Sequence, residues 1–294
     1  MSIVIGVTGV TGGLGARVAA GLAAAGADLR LVVRDAGRAP SLPGAQVMEN
    51  PGGFADGAGF AAALDGVHTL YLVSAAEAEN RVTQHRTAVA AAARAGVERI
   101  LYTSFLGAAP DAVFTLGRHH AATEEALADS GVRWTALRHS LYADFVPFLA
   151  SVADGRAVIA GPAGNGRASF VARDDLAEAA VAVLLDESDR FDGHALGLTG
   201  PEALTLAEAA AVVAEVSGVP TEYREETVDE AWAARRPSGH PDWEIEGWVT
   251  SYTSIAAGEM AAVTGLVELL TGHPARTLAE ELRAHPEDWA HLAR

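Results

Sequence analysis

The sequence predicts an α/β fold, a doubly wound parallel sheet followed by a smaller, mostly helical C-terminal region. Three observations predict it. Short, β-branched apolar runs alternate with helical stripes as far as Arg138. Two helices stop at Gly-Val pairs, Gly96-Val97 and Gly131-Val132, whose valines open the next strand. Beyond Arg138 the rhythm changes to a series of helix-start signals.

Taken in order, Ile3 to Thr8 reads as a buried strand, and a glycine-rich turn follows it. Val18 and Leu22 set a helical stripe that ends at Gly26, and Leu29 to Val33 is the second strand. Signals weaken between Asp35 and Gly66, where Gln46 to Met48 is a third strand and Pro51-Gly52-Gly53 a turn. Val67 to Val73 and Val97 to Thr103 are strands flanking a helix from Val82 to Ala95. A helix from His119 to Ser130 then leads into the strand Val132 to Leu137. Further on, Gly161 to Gly166 is a loop and Asp174 to Leu185 a helix opened by acidic residues. Thr205-Leu-Ala-Glu208, Thr227-Val-Asp-Glu230 and Thr277-Leu-Ala-Glu280 each match the capping box, in which a threonine hydroxyl and a glutamate exchange hydrogen bonds with the helix start. One short strand is expected near Val219 to Tyr223.

The 294 residues are half hydrophobic and one-fifth charged, which suits one large α/β domain with a smaller appendage. A formal net charge of −17 repels phosphate backbones and anionic lipid, so neither nucleic acid nor membrane is an expected partner. There is no cysteine, which excludes disulfides, thiolate nucleophiles and thiolate-held metals. Nor is there a lysine: all 21 basic residues are arginine, which excludes Schiff-base chemistry and any lysine that assists a tyrosine. The start Met-Ser-Ile-Val-Ile-Gly lacks a secretory pattern, and a soluble, cytoplasmic chain is expected.

The turn after the first strand carries chemistry. It reads Thr8-Gly9-Val10-Thr11-Gly12-Gly13-Leu14-Gly15. Glycines 9, 12 and 15 between a strand and a helix permit a tight turn, close approach of a pyrophosphate and packing of the helix on the sheet. The helix N-terminus then offers free N–H groups to the phosphates. This is the signature of a Rossmann-type dinucleotide site. An NAD site usually places an acidic residue at the end of the second strand. Here Arg34 stands there, followed by Arg38, and a guanidinium suits the 2′-phosphate of NADP(H). NADP(H) is expected in preference to NAD(H), although Asp35 lies beside Arg34.

Gly9-x-x-Gly12-x-x-Gly15 with Arg34, then Gln84-His85-Arg86, Tyr102-Thr103-Ser104, Leu137-Arg138 with Tyr142, and Arg173-Asp174-Asp175 resemble the atypical short-chain dehydrogenase/reductases. Ala128-Asp-Ser-Gly131 and Gly272-His273-Pro274 resemble their NmrA-like group, in particular the type 2 NAD(P)H:quinone oxidoreductases. The resemblance implies that Thr11, Gly12, Gly13 and Leu14 touch the pyrophosphate and Arg34 the 2′-phosphate. It places Val73 and Ser74 along the ribose and nicotinamide, and Thr103, Ser104 and Phe105 at the nicotinamide's border. It implies an NAD(P)-binding domain over residues 1–195, with 138–170 contributing to the substrate pocket, and a substrate-binding region over 196–294. A homodimer is compatible with it.

The chain also departs from the family. Standard members use Tyr-x-x-x-Lys to donate a proton, and here His119-His120-Ala-Ala-Thr123 stands near the expected position. His139 stands where relatives carry asparagine. His120 reads as a proton donor or substrate ligand, or else as a packing histidine; Tyr142 reads as a substrate contact or as packing. Trp243, Trp248 and Tyr252 either roof a flat substrate or form a small core. No second metal ligand follows His119-His120 at helical spacing, so no metal site is expected.

Three functions fit this reading. The first is transfer of hydride from NADPH to a quinone or similar conjugated acceptor without a Tyr-Lys pair. The second is a non-catalytic, NADP-sensing regulator of the NmrA kind. The third is a biosynthetic reductase or isomerase acting on one aromatic metabolite.

Overall fold

The computed structural model describes residues 3–293. In chain order the elements are β1 (Val4–Val7), α1 (Gly13–Ala24), β2 (Asp28–Val33), β3 (Ala45–Glu49), α2 (Gly57–Ala63) and β4 (Thr69–Leu72). There follow α3 (Arg81–Arg94), β5 (Arg99–Phe105), α4 (Thr115–Asp129), β6 (Arg133–His139), β7 (Ala150–Ala153), β8 (Arg156–Gly161), β9 (Arg167–Ala168) and α5 (Arg173–Leu185). The chain continues through β10 (His194–Leu198), β11 (Leu204–Thr205), α6 (Leu206–Ser217), β12 (Thr221–Glu225), α7 (Val228–Arg235), α8 (Asp242–Ala256), α9 (Leu266–Thr271) and α10 (Leu278–Ala284).

The residues fall into two compact units. The first gathers the chain up to Phe105 with His119–Arg138 and Leu176–Leu196. Its seven-stranded sheet runs β10-β6-β5-β4-β1-β2-β3, and the pairs β3–β2, β2–β1, β1–β4 and β4–β5 are parallel. This is the doubly wound arrangement of a Rossmann-type α/β fold. Strands β4 and β5 are buried along nearly their whole length, as strands covered on both faces must be. Leu70, Tyr71, Ile100, Leu101 and Tyr102 have no measurable exposure, and Val18 and Leu22 of α1 are buried as completely. Gly26, Gly96 and Gly131 follow helix ends with φ of 78°, 81° and 73°, the left-handed cap expected of them.

The second unit gathers Leu106–Arg118, His139–Asp175 and Gly197–Arg294. Its three-stranded sheet runs β12-β8-β7, with β12 parallel and β7 antiparallel to β8, and β9 pairs with β11. All three capping boxes form: Thr205, Thr227 and Thr277 each accept from the backbone of the glutamate three residues on, and each glutamate accepts in return. Among the described residues no helix is long and apolar enough to cross a membrane.

Several elements differ from the sequence expectation. Helix α4 begins at Thr115 rather than His119, and the strand expected at Val219 to Tyr223 is shifted to Thr221–Glu225. Gly161 closes β8 rather than opening a loop. Helix α2, the β7–β8 hairpin, the β9–β11 pair and β10 are additional.

Candidate functional site

In the first unit, the turn between β1 and α1 is built by its glycines, each for a separate reason. Gly9 sits at φ 66°, where a side chain would be strained, and a Cβ there would lie 2.9 Å from Val73. Gly12 N–H donates to the Gly9 carbonyl at 3.0 Å and closes the turn. A Cβ on Gly15 would lie 2.3 Å from the Gly9 oxygen, so only glycine lets α1 start this close to the sheet. Gly12 caps α1 without a side-chain hydrogen bond. The first amides of the helix therefore meet no capping group and stay available to an anion.

Beside this turn lies a crevice of about 480 Å³. It is walled by the Thr8–Thr11 turn, the end of β2 with Arg34, the segment Asn50–Phe54, and the segment Val73–Ala78. Arg34 is exposed and forms no ion pair among the described residues. The acidic groups around it are already engaged: Asp35 accepts from Gly37 N–H at 2.9 Å, and Glu49 accepts from Ala36 N–H at 3.0 Å. Asn50 is buried and donates to the Gly53 carbonyl at 2.8 Å, yet its Oδ1 meets no donor among the described residues. Phe60 lines the same end, with Phe54 edge-on at 5.2 Å.

The opposite wall is pinned at three successive amides. Val73 N–H donates to Thr8 Oγ1 at 2.8 Å, Ser74 N–H to Thr103 Oγ1 at 2.7 Å, and Ala75 N–H to His85 Nε2 at 2.8 Å. Arg81 Nε donates to the Ala75 carbonyl at 2.9 Å, so that peptide is gripped from both sides. Because His85 Nε2 accepts, its proton is on Nδ1, which donates to Thr123 Oγ1 at 2.8 Å. Burial, then the Arg81 charge, holds the His85 pKa down to about 3, so the ring is neutral and the tautomer fixed.

His120 belongs to the same network. Arg81 Nη2 donates to its Nε2 at 3.1 Å, Tyr102 OH lies 2.9 Å from its Nδ1, and its ring stacks on Phe105 at 6.0 Å. Burial pushes the Tyr102 phenol well above its ordinary pKa, which keeps it protonated. Ser104 is committed as well: its hydroxyl donates to Glu124 Oε1 at 2.5 Å, and Arg138 grips the same carboxylate through Nε at 2.9 Å and Nη2 at 2.6 Å.

Of the residues singled out from sequence, Gly9, Thr11, Arg34, Val73 and Ser74 line the crevice together. Gly12 and Gly13 are exposed at the turn, while Leu14 and Gly15 are buried behind it. Arg38 is exposed on the short turn after β2, outside the lining. Thr103 and Ser104 lie under the wall rather than on it, and Phe105 packs on His120. Tyr142 and Trp248 belong to the second unit. There, Tyr142 OH lies 3.3 Å from His139 Nδ1 with the Arg173 guanidinium 4.6 Å over its ring. Trp248 packs with Trp232 on a small core of Ala231, Ile245 and Val249, and His240 meets it edge-on at 4.8 Å. Asn50, Arg81 and Glu124 are not singled out by the sequence, and His85 stands there only within the Gln84-His85-Arg86 motif, without a role. His85 alone carried a signal, because it shares a helical stripe with Ala88, Val89 and Ala92.

Comparison with known proteins agrees with this geometry. Residues 9–187 match the NAD(P)H-binding family profile. Over 280 residues the chain is 32% identical to quinone oxidoreductase 2 of Escherichia coli, covering 95% of this chain and 97% of that protein. It is 29% identical to an NAD(P)H azoreductase of Xenophilus azovorans over 279 residues, 95% of this chain and 96% of the other. The crystal structure of the Escherichia coli NADPH-dependent quinone oxidoreductase in complex with NADPH superposes with a TM-score of 0.84, covering 99% of this chain and all of that one.

Proposed function

The chain belongs to the NAD(P)H-binding, NmrA-like family of oxidoreductases, and from that premise we propose that it passes a hydride from NADPH to a quinone or similarly flat, electron-poor acceptor. The observation that carries the cofactor half of the reading is Arg34. It is an exposed guanidinium on the crevice with no carboxylate partner among the described residues, beside an Asp35 that caps its own turn. A 2′-phosphate satisfies that guanidinium, whereas a bare ribose hydroxyl does not. The free amides at the start of α1 suit the pyrophosphate.

NADPH, when bound, supplies the hydride. The chain's own residues supply position. Thr8, Thr103, His85 and Arg81 fix the 73–75 backbone as a rigid wall, so the crevice is organised before anything enters it. His120, with a partner on each ring nitrogen, is read here as support for Arg81 and Phe105 rather than as a proton donor.

The acceptor follows from chemistry that is missing. Without lysine there is no Tyr-x-x-x-Lys acid to protonate an alkoxide as it forms. A quinone accepts hydride to give an aromatic hydroquinone whose oxygens are weakly basic, so water supplies the one further proton required. The relatives named for quinone and azo reduction both act on flat conjugated molecules, which supports the same class. The test is NADPH oxidation by the purified chain against benzoquinones, naphthoquinones, azo compounds and saturated ketones. Turnover with the conjugated acceptors and none with the ketones is expected. Turnover of a simple ketone, or NADPH binding with no turnover on any acceptor, overturns the proposal; the second outcome points to a sensor.

A further inference from the structure

In the second unit, Asp174 at the start of α5, Glu281 on α10 and His285 just past its end come together. One ligand atom from each lies within 4.8 Å of the others. Glu281 is 1% exposed, and among the described residues its Oε2 has no hydrogen-bond partner. A carboxylate oxygen this deep normally has several donors, and leaving one bare costs more than most single interactions return.

Two nearby guanidiniums are paired with other carboxylates: Arg276 pairs with Asp175, and Arg173 pairs with Asp144. Asp174, Glu281 and Glu287 lie around the imidazole of His285. The imidazole is also oriented as a ligand would be. Its Nδ1 lies 3.2 Å from Glu287 Oε1, while its Nε2 is turned toward Asp174 Oδ2 at 3.3 Å. A carboxylate on one ring nitrogen, with the other left to face the cluster, is the usual support of a metal-bound histidine.

We propose that Asp174, Glu281 and His285 form a binding site for one divalent transition-metal ion, with Zn²⁺ as the reference case. One imidazole and two carboxylates suit zinc or manganese better than magnesium or calcium, which seldom take nitrogen. Metal–ligand distances of about 2.0–2.2 Å require the three donors to close by roughly an ångström from their present spread. Asp174 and His285 are half-exposed, which leaves a path from solvent, and Glu281 forms the floor. The ion ties the start of α5 to the end of α10, and its role is structural. Glu281 and His285 stand at helical spacing, but the third ligand, Asp174, is more than 100 residues away in the chain, so the pair alone does not announce the site.

The experiment is calorimetric titration of Zn²⁺ into the full chain, stripped with chelator and dialysed, alongside thermal melts and the visible spectrum of the Co²⁺-loaded protein. One ion per chain is expected, with a rise in Tm of at least about 3 °C at saturating zinc. Glu281→Gln and His285→Gln should each weaken binding at least tenfold and alter the Co²⁺ spectrum. His240→Gln, which removes an exposed histidine paired with Glu244, should change neither. Melting of each variant without metal confirms that it is folded. Absence of one-to-one binding at 100-fold excess metal overturns the proposal. So does binding that survives both ligand substitutions, because the ion is then held elsewhere.

Discussion

Alanine at Gly15 and alanine at Gly12 separate the two tasks assigned to the first turn. At Gly15 the new Cβ would stand 2.3 Å from the Gly9 oxygen, 2.5 Å from the Gly9 carbon and 2.9 Å from the Thr8 oxygen. All three are backbone atoms, so no side chain can rotate away, and α1 must retreat from the sheet by about an ångström. Overpacking of this kind costs roughly 1–3 kcal/mol, and the backbone obstruction puts Gly15→Ala at the upper end. A loss of about 3 kcal/mol lowers Tm by roughly 6–12 °C in a chain of this class. At Gly12 the nearest atom is the Gly9 oxygen at 3.4 Å, an ordinary contact, and the backbone at φ −105° suits any residue. Gly12→Ala should therefore leave cofactor-free stability within about 0.5 kcal/mol. It places a methyl where the pyrophosphate would approach, so NADPH affinity should fall about tenfold or more, equivalent to at least about 1.4 kcal/mol. Circular dichroism melts without cofactor, with NADPH fluorescence titrations beside them, read both effects. Equal destabilisation by the two substitutions would refute the packing argument. Unchanged NADPH affinity in Gly12→Ala would refute the placement of the phosphates.

Other consequences are as concrete. Glu124→Ala strips Ser104 and Arg138 of their shared acceptor; with Arg138 partly exposed, the loss should be about 2–3 kcal/mol by urea denaturation. A loss below 0.5 kcal/mol, about the size of an exposed pair, would mean that the cluster is not structural. His85 and His139 are both held by burial at a pKa of about 3, against 6.5 when unfolded. As pH falls the unfolded chain takes up these protons first, so this contribution is complete above pH 6.5 and declines from there toward pH 3. The slope approaches about 1.4 kcal/mol per pH unit for each histidine. In His85→Gln one histidine's share of that slope should disappear between pH 6.5 and 4.5. Parallel stability curves for the variant and the native chain would show that His85 is not buried neutral.

The parts of the fold that were legible in the sequence are those fixed by local chemistry. Three threonine–glutamate boxes announced α6, α7 and α10, because the cap is made within four residues of chain. The glycine turn was equally plain, since its spacing answers to backbone geometry alone. The β7–β8 hairpin has a readable local signal as well: Asp154-Gly155, both with positive φ (51° and 71°), is a favoured two-residue hairpin turn. Helix α2 was obscured by its own glycines, Gly57 and Gly59, and rests on Asp56, whose side chain accepts from Gly59 N–H. Strand β10 is a five-residue edge strand whose residues alternate too weakly to stand out.

The candidate site divides along the same line. Arg34 follows from its place at the end of a strand, but the wall at 73–75 depends on Thr8, Thr103, Arg81 and His85, which converge from three elements. A histidine in a helical stripe does not disclose its partners. For that reason His120 is assigned candidate roles from sequence, while His85, which holds the Ala75 amide, appears there only within a family motif and without a role.

The central claim is tested most directly by kcat/KM for NADPH and for NADH, measured with one saturating quinone in the native chain and in Arg34→Glu. A charged hydrogen-bonding partner of the 2′-phosphate contributes about 1.5–3 kcal/mol, or roughly 10–100-fold. The account predicts that the native chain prefers NADPH by that factor, and that Arg34→Glu loses the preference while its NADH activity holds. An NADPH preference that survives Arg34→Glu, or a native chain indifferent to the phosphate, would contradict it.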